Sequence, residues 1–167
     1  IDAKVFTHNE ISYNHNWQYQ WEGSGEDFAP LTDIPVKIDH AKETGGNKII
    51  LRNHFVMQAW QHFTFCFQTT HQYAQLFING RLVYDYTLAE EQMESSPGCR
   101  WHFVEISPEI LTDKQGEVQL VLQSPYEKYT GDISDMYMGD KTDIIFYLFV
   151  SNLLPLILGC VIFLAGI

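Results

Sequence analysis

The sequence predicts an all-β, antiparallel β-sandwich followed by an apolar C-terminal segment. Three observations point there. Short runs of alternating apolar and polar residues recur at spacings of about 8 to 15 residues. An Asn-Gly pair separates two of those runs, as in a tight hairpin. Helical periodicity before residue 143 is confined to fragments, which leaves strands to build the core.

Taken in order, "NWQYQWEG" reads as a short strand ahead of a Gly/Ser/Asp loop, and "NKIILRNHF" follows Gly45-Gly46 as another. "HFTFCFQT" sets Phe63, Phe65 and Phe67 on one face and His62, Thr64, Cys66 and Gln68 on the other, a period of two rich in aromatic residues. "YAQLFINGRLVYDY" folds into strands near 73–78 and 81–86 around Asn79-Gly80, where both central residues need positive φ. "RWHFVEIS" alternates Trp101, Phe103 and Glu105 against Arg100, His102, Val104 and Ile106. "EVQLVLQS" places Val118, Leu120 and Leu122 together. Helical signals are limited to a turn or two at "LAEEQMES" and a single turn at "PEILTD" after Ser107.

Every charged residue lies at or before Asp143, and the formal charge is −11. That balance repels phosphate backbones, and the ten Lys and Arg are scattered, so nucleic acid is not an expected partner. From residue 144 to 167 there is no charge, and 16 of the 24 residues are Leu, Ile, Phe or Val. At the bilayer centre such residues contribute a gross gain of about −5 to −10 kcal/mol, enough to outweigh Asn152 and Pro155. The membrane is therefore the expected environment. Two registers fit: a span from Ile144, or a connector over 142–152 with a span from Leu153 that the chain leaves truncated. The first residue is Ile, without Met or a charged-then-apolar leader, so a removed leader or an excised fragment is expected.

The residues carry little chemistry. The seven histidines show no helical pairing beside a Glu, so scattered surface or packing roles are the stronger reading. "EGSGED" lacks the ligand order of a calcium-binding hand loop; Glu22, Glu26 and Asp27 are candidates for a structural calcium, with a solvated turn the stronger reading. No other cofactor or metal is expected. No Ser or Cys has a nucleophile setting, so no active site is expected within the chain. Cys66 and Cys99 are the pair able to bridge, and a small buried strand residue is the stronger reading for Cys66. What remains is aromatic: Trp17, Trp21, Trp60, Trp101, Tyr126 and Tyr129, with Arg52, Asn53 and His102 as donors. Such rings stack on sugars or small molecules, although core packing is the stronger reading residue by residue. The candidate ligand-binding residues are Trp21, Arg52, Trp101, His102 and Tyr126.

"FINGRLVYDY", "SSPGCRWHFVEIS" and "SPYEKYTGDISDMYMGDKTDIIFYL", the last running straight into the apolar stretch, together resemble the extracytoplasmic domain of bacterial multi-span membrane sensors (7TMR-DISM-type). The resemblance covers about residues 45 to 167. It implies a jelly-roll, galactose-binding-like sandwich over 1–141, a connector over 142–152 and a first transmembrane helix from 153. It further implies a small-molecule or carbohydrate ligand, a homodimer through the full-length receptor, and a GGDEF diguanylate cyclase or histidine kinase as cytoplasmic output. Relatives often carry charge where Ser151 and Asn152 stand, and this chain departs from that pattern.

Overall fold

The computed structural model describes residues 12–39, 47–56, 63–87, 97–111 and 115–166. The strands are β1 (His15–Trp21), β2 (Ala29–Asp33), β3 (Val36–Lys37), β4 (Lys48–Val56), β5 (Phe63–Thr70), β6 (Tyr73–Ile78), β7 (Arg81–Tyr86), β8 (Cys99–Ile106), β9 (Gln115–Gln123), β10 (Asp132–Ile133) and β11 (Met136–Gly139), followed by helix α1 (Lys141–Ala165). They form an antiparallel jelly-roll sandwich: a six-stranded sheet in the order β2-β1-β4-β9-β6-β7 faces a three-stranded sheet, β11-β5-β8, and β3 and β10 form a small ribbon. From β4 onward the chain crosses between the sheets at almost every connection, so most neighbours in space are distant in sequence.

The alternation in the sequence becomes the core. Ile49, Leu51 and Phe55 of β4, Leu76 and Ile78 of β6, and Val118, Leu120 and Leu122 of β9 face Phe63, Phe65 and Phe67 of β5 and Val104 and Ile106 of β8. Trp17 closes the layer, its indole N–H donating to the Tyr13 carbonyl at 2.7 Å. Burying this apolar surface is the main stabilising term.

The hairpin forms as the sequence predicts: Asn79 has φ 49° and Gly80 φ 75°. Asn79 also ties the turn to its surroundings, its amide donating to the Ile110 carbonyl at 2.9 Å and accepting from the Glu117 N–H at 2.8 Å. "PEILTD" is a single 3-10 turn, Pro108–Ile110. "LAEEQMES" and Trp60 lie outside the described residues. Strands β2, β3, β10 and β11 have two to five residues each, too short for a period of two to show in the sequence.

The candidate Cys66–Cys99 bridge does not form. Cys66 sits opposite Phe103 and Cys99 opposite Thr70, four positions further along the ladder, a separation of about 13 Å. Cys66 instead takes the buried strand role.

Asp140 starts the helix, its carboxylate accepting from the Thr142 N–H at 2.8 Å. From Lys141 the helix runs without a break through the Ser151-Asn152 pair, where the Asn152 amide donates to the Leu148 carbonyl at 2.7 Å. The two registers expected for the apolar segment thus share one helix, and Pro155 lies inside it.

Gly131 is the most tightly enclosed glycine among the described residues. Its φ is 78°, and a Cβ there would lie 2.2 Å from the Ile38 carbonyl oxygen. Gly131→Ala is expected to destabilise the fold by about 2–4 kcal/mol in urea unfolding. Gly23→Ala, at φ 77° but in open space, should cost only about 1 kcal/mol.

Candidate functional site

The five ligand-binding candidates lie apart in the structure. Trp101 and His102 are neighbours on β8 and therefore point to opposite sides of the sheet. Trp21 belongs to the core, where it is 6% exposed, and His102 is equally interior; neither offers a face to a ligand. Arg52 lies on the outer face of the six-stranded sheet, donating to the Gln18 side-chain oxygen at 2.8 Å, its guanidinium 3.9 Å from the Phe28 ring centroid. Trp101 is on the outer face of the three-stranded sheet and Tyr126 in the loop after β9; they are 37% and 41% exposed. The nominated calcium ligands are not gathered either: Glu22 lies beside Lys48 at 3.5 Å, and no group of three metal-ligating side chains occurs among the described residues.

His102 is a structural bridge between the sheets. Its Nε2 lies 2.8 Å from the Thr69 hydroxyl and its Nδ1 2.9 Å from the Tyr84 hydroxyl, with the ring stacked on Phe67 at 4.6 Å. Burial, aided by the Arg100 charge, lowers its pKa to about 4. The unfolded chain therefore takes up this proton first as pH falls. The stability this histidine contributes is complete above pH 6.5 and lost progressively between 6.5 and 4. Thermal unfolding of the His102→Gln variant should show a smaller loss of Tm across that window than the parent chain.

Tyr126 acquires partners that the sequence did not announce. His71, at φ 53° between β5 and β6, puts its ring 6.0 Å from Tyr126 and 4.6 Å from Tyr129. The buried Gln72 amide donates to the Tyr129 and Asp132 carbonyls at 2.9 and 2.8 Å, and the Ser124 hydroxyl donates to the His71 carbonyl at 2.8 Å. These bonds fix a cluster of one imidazole and two phenols at one end of the sandwich. At the opposite end, near the Asn79-Gly80 turn, an open depression of about 490 Å³ is lined by His54, Val56, Gln115 and Glu117 among others, and holds none of the five candidates.

The second feature is the junction with α1. Ile144 is fully buried against Cys66 and Tyr137, with Phe103, Tyr147 and Leu148 packed around them. The spacing i, i+3, i+4 gives the first two turns one face that sits on the outer side of the three-stranded sheet. Tyr147 lies 5.5 Å from Tyr137, Tyr137 lies 6.0 Å from Trp101, and Lys141 pairs with Glu105 at 3.0 Å. Burial pushes the Cys66 thiol up to about 12, so it is inert while covered. In a Cys99→Ser/Cys160→Ser background, Ile144→Asp should speed Cys66 modification by a maleimide more than about tenfold. Ile145→Asp, on the exposed side, should leave that rate unchanged.

Together these features define a β-sandwich with an apolar helix docked on one face. No family model and no curated protein matches the sequence. Solved structures do match the fold. A glycosyl hydrolase family 2 member from Bacteroides cellulosilyticus superposes with TM-score 0.57 at 13% identity over 77% of this chain and 20% of its own. Ruminococcus gnavus β-glucuronidase gives 0.55 at 12%, over 76% of this chain and 27% of its own. The β-D-glucuronidase of Dictyoglomus thermophilum gives 0.55 at 12%, over 78% and 28%. The chain thus spans between a fifth and just over a quarter of the length of these enzymes, and the likeness is one of fold.

Proposed function

We propose that this chain is the extracytoplasmic sensing domain of a membrane-bound signalling protein, in which α1 is a membrane helix and the sandwich passes a ligand-induced displacement to it. The observation that carries this reading is the docking of Ile144, Tyr147 and Leu148 on β5 and β11. A flexible tether absorbs displacement, whereas a helix packed on a sheet moves with it. Residues 141–164 are long and apolar enough to cross a bilayer, and little of that surface is buried in the protein. The ligand, a carbohydrate or another small molecule with an apolar face, is assigned to the His71–Tyr126–Tyr129 end, where the exposed Tyr126 ring is held beside the half-buried His71 and Tyr129 rings. The output module, a diguanylate cyclase or histidine kinase, is carried by the rest of the protein.

The second reading is a membrane-anchored carbohydrate-binding module without signalling, favoured by the likeness to sandwiches within glycosidases. Two experiments separate them. Probed on a glycan array in detergent, the whole chain is expected to bind, and Tyr126→Ala to remove the signal. In the full-length protein, two glycines inserted after Asp143 should abolish ligand-dependent output while affinity stays within about twofold. Output that survives the insertion would overturn the sensing mechanism and leave the binding module.

A further inference from the structure

We infer that the outer face of the three-stranded sheet rests on the lipid headgroup layer, with Trp101 as its interfacial anchor. This rests on α1 being a membrane helix, and it concerns the sandwich rather than the helix. A helix docked on a soluble domain normally turns polar residues outward. Here, at the very level where Ile144, Tyr147 and Leu148 pack inward, the outward residues are Ile145, Phe146, Phe149 and Val150, with Phe146 59% and Phe149 56% exposed. The apolar surface therefore does not begin beyond the sandwich. It begins beside it, so a bilayer covering Phe146 and Phe149 also comes up to the sheet.

The residues next to that boundary have interfacial chemistry. Trp101, Tyr137 and Tyr147 form a continuous run of rings from the exposed edge strand β8 to the helix. Trp and Tyr favour the headgroup level because one end of the ring is apolar and the other hydrogen-bonds water. The charged groups at the junction are mostly acidic: Asp140 and Asp143 at the helix start, and Glu105 paired with Lys141. With Lys141 paired to Glu105 and Arg100 the one further cation beside Trp101, there is no basic patch among the described residues to draw anionic lipid, which favours a zwitterionic surface held by aromatic contact.

The test uses the whole chain in phosphatidylcholine nanodiscs. The Trp101 contribution to fluorescence is taken as the difference between the parent chain and Trp101→Phe. An environment-sensitive label on Cys160, in a Cys66→Ala/Cys99→Ser background, reports the helix. The expected result is that lipid brominated near the headgroup quenches about half or more of the Trp101 component, lipid brominated at mid-chain quenches it less, and the Cys160 label shows the reverse order. If the Cys160 label is quenched by lipid but Trp101 yields only to aqueous acrylamide, the headgroup contact is overturned and the membrane helix stands. Trp101 shielded from both quenchers would mean that protein covers it, which also overturns the contact. A Cys160 label untouched by either lipid overturns the membrane reading and this inference together.

Discussion

Strand β5 is buried on both faces, and that constraint organises the rest of the molecule. Phe63, Phe65 and Phe67 enter the sandwich core while, on the other face, Thr64 is also buried and Cys66 is sealed beneath α1. A strand whose two sides both leave water needs a layer above and a layer below. The six-stranded sheet supplies one and the first two turns of the helix the other. Removing the helix would expose part of the middle strand of a three-stranded sheet, so sandwich and helix are energetically one object up to Leu148. The Thr64 hydroxyl, buried with no hydrogen-bond partner among the described residues, marks how completely that side is closed.

Where a residue pattern depends on two faces alone, the sequence was legible. The Phe63–Phe65–Phe67 strand, the Asn79-Gly80 hairpin and the Val118–Leu120–Leu122 strand all follow from a period of two and one turn rule, and each appears with its expected inward side. Strand β11 was not legible, because "MYMG" is four residues long and buried on both faces, which erases alternation. Neither was the continuity of α1. Asn152 reads as a polar interruption, but its amide bonds to a carbonyl one turn back and the helix absorbs it.

The candidate site was legible only in part, for a reason of dimension. Aromatic content says that rings are abundant, but exposure is decided by contacts between residues far apart in the chain. Trp21 and Trp101 look alike in sequence; one is buried in the core beside its cross-strand neighbour Ile49 and the other faces outward. His71 carried no signal, since its role depends on a left-handed turn and on a loop more than 50 residues away that Gln72 and Ser124 draw in. The same pair of sheets that hides Trp21 and His102 leaves Tyr126 at an end, where strands stop and loops must carry any specificity.

The edge of the three-stranded sheet has a mechanical meaning. Ser12 bridges to Tyr137, the Tyr13 N–H donates to the Met136 carbonyl at 2.8 Å, and the Asn14 side chain accepts from the Met136 N–H at 2.9 Å. One residue beyond β11 the chain enters α1. The segment that leads into the sandwich and the segment that leads out of it are therefore clasped to each other across a single short strand. The two run antiparallel and leave at the same end, so tension between them would peel a few hydrogen bonds apart one at a time, while Met136 and Met138 keep β11 anchored in the core. Under load, that clasp would yield first and the sandwich would remain folded behind it.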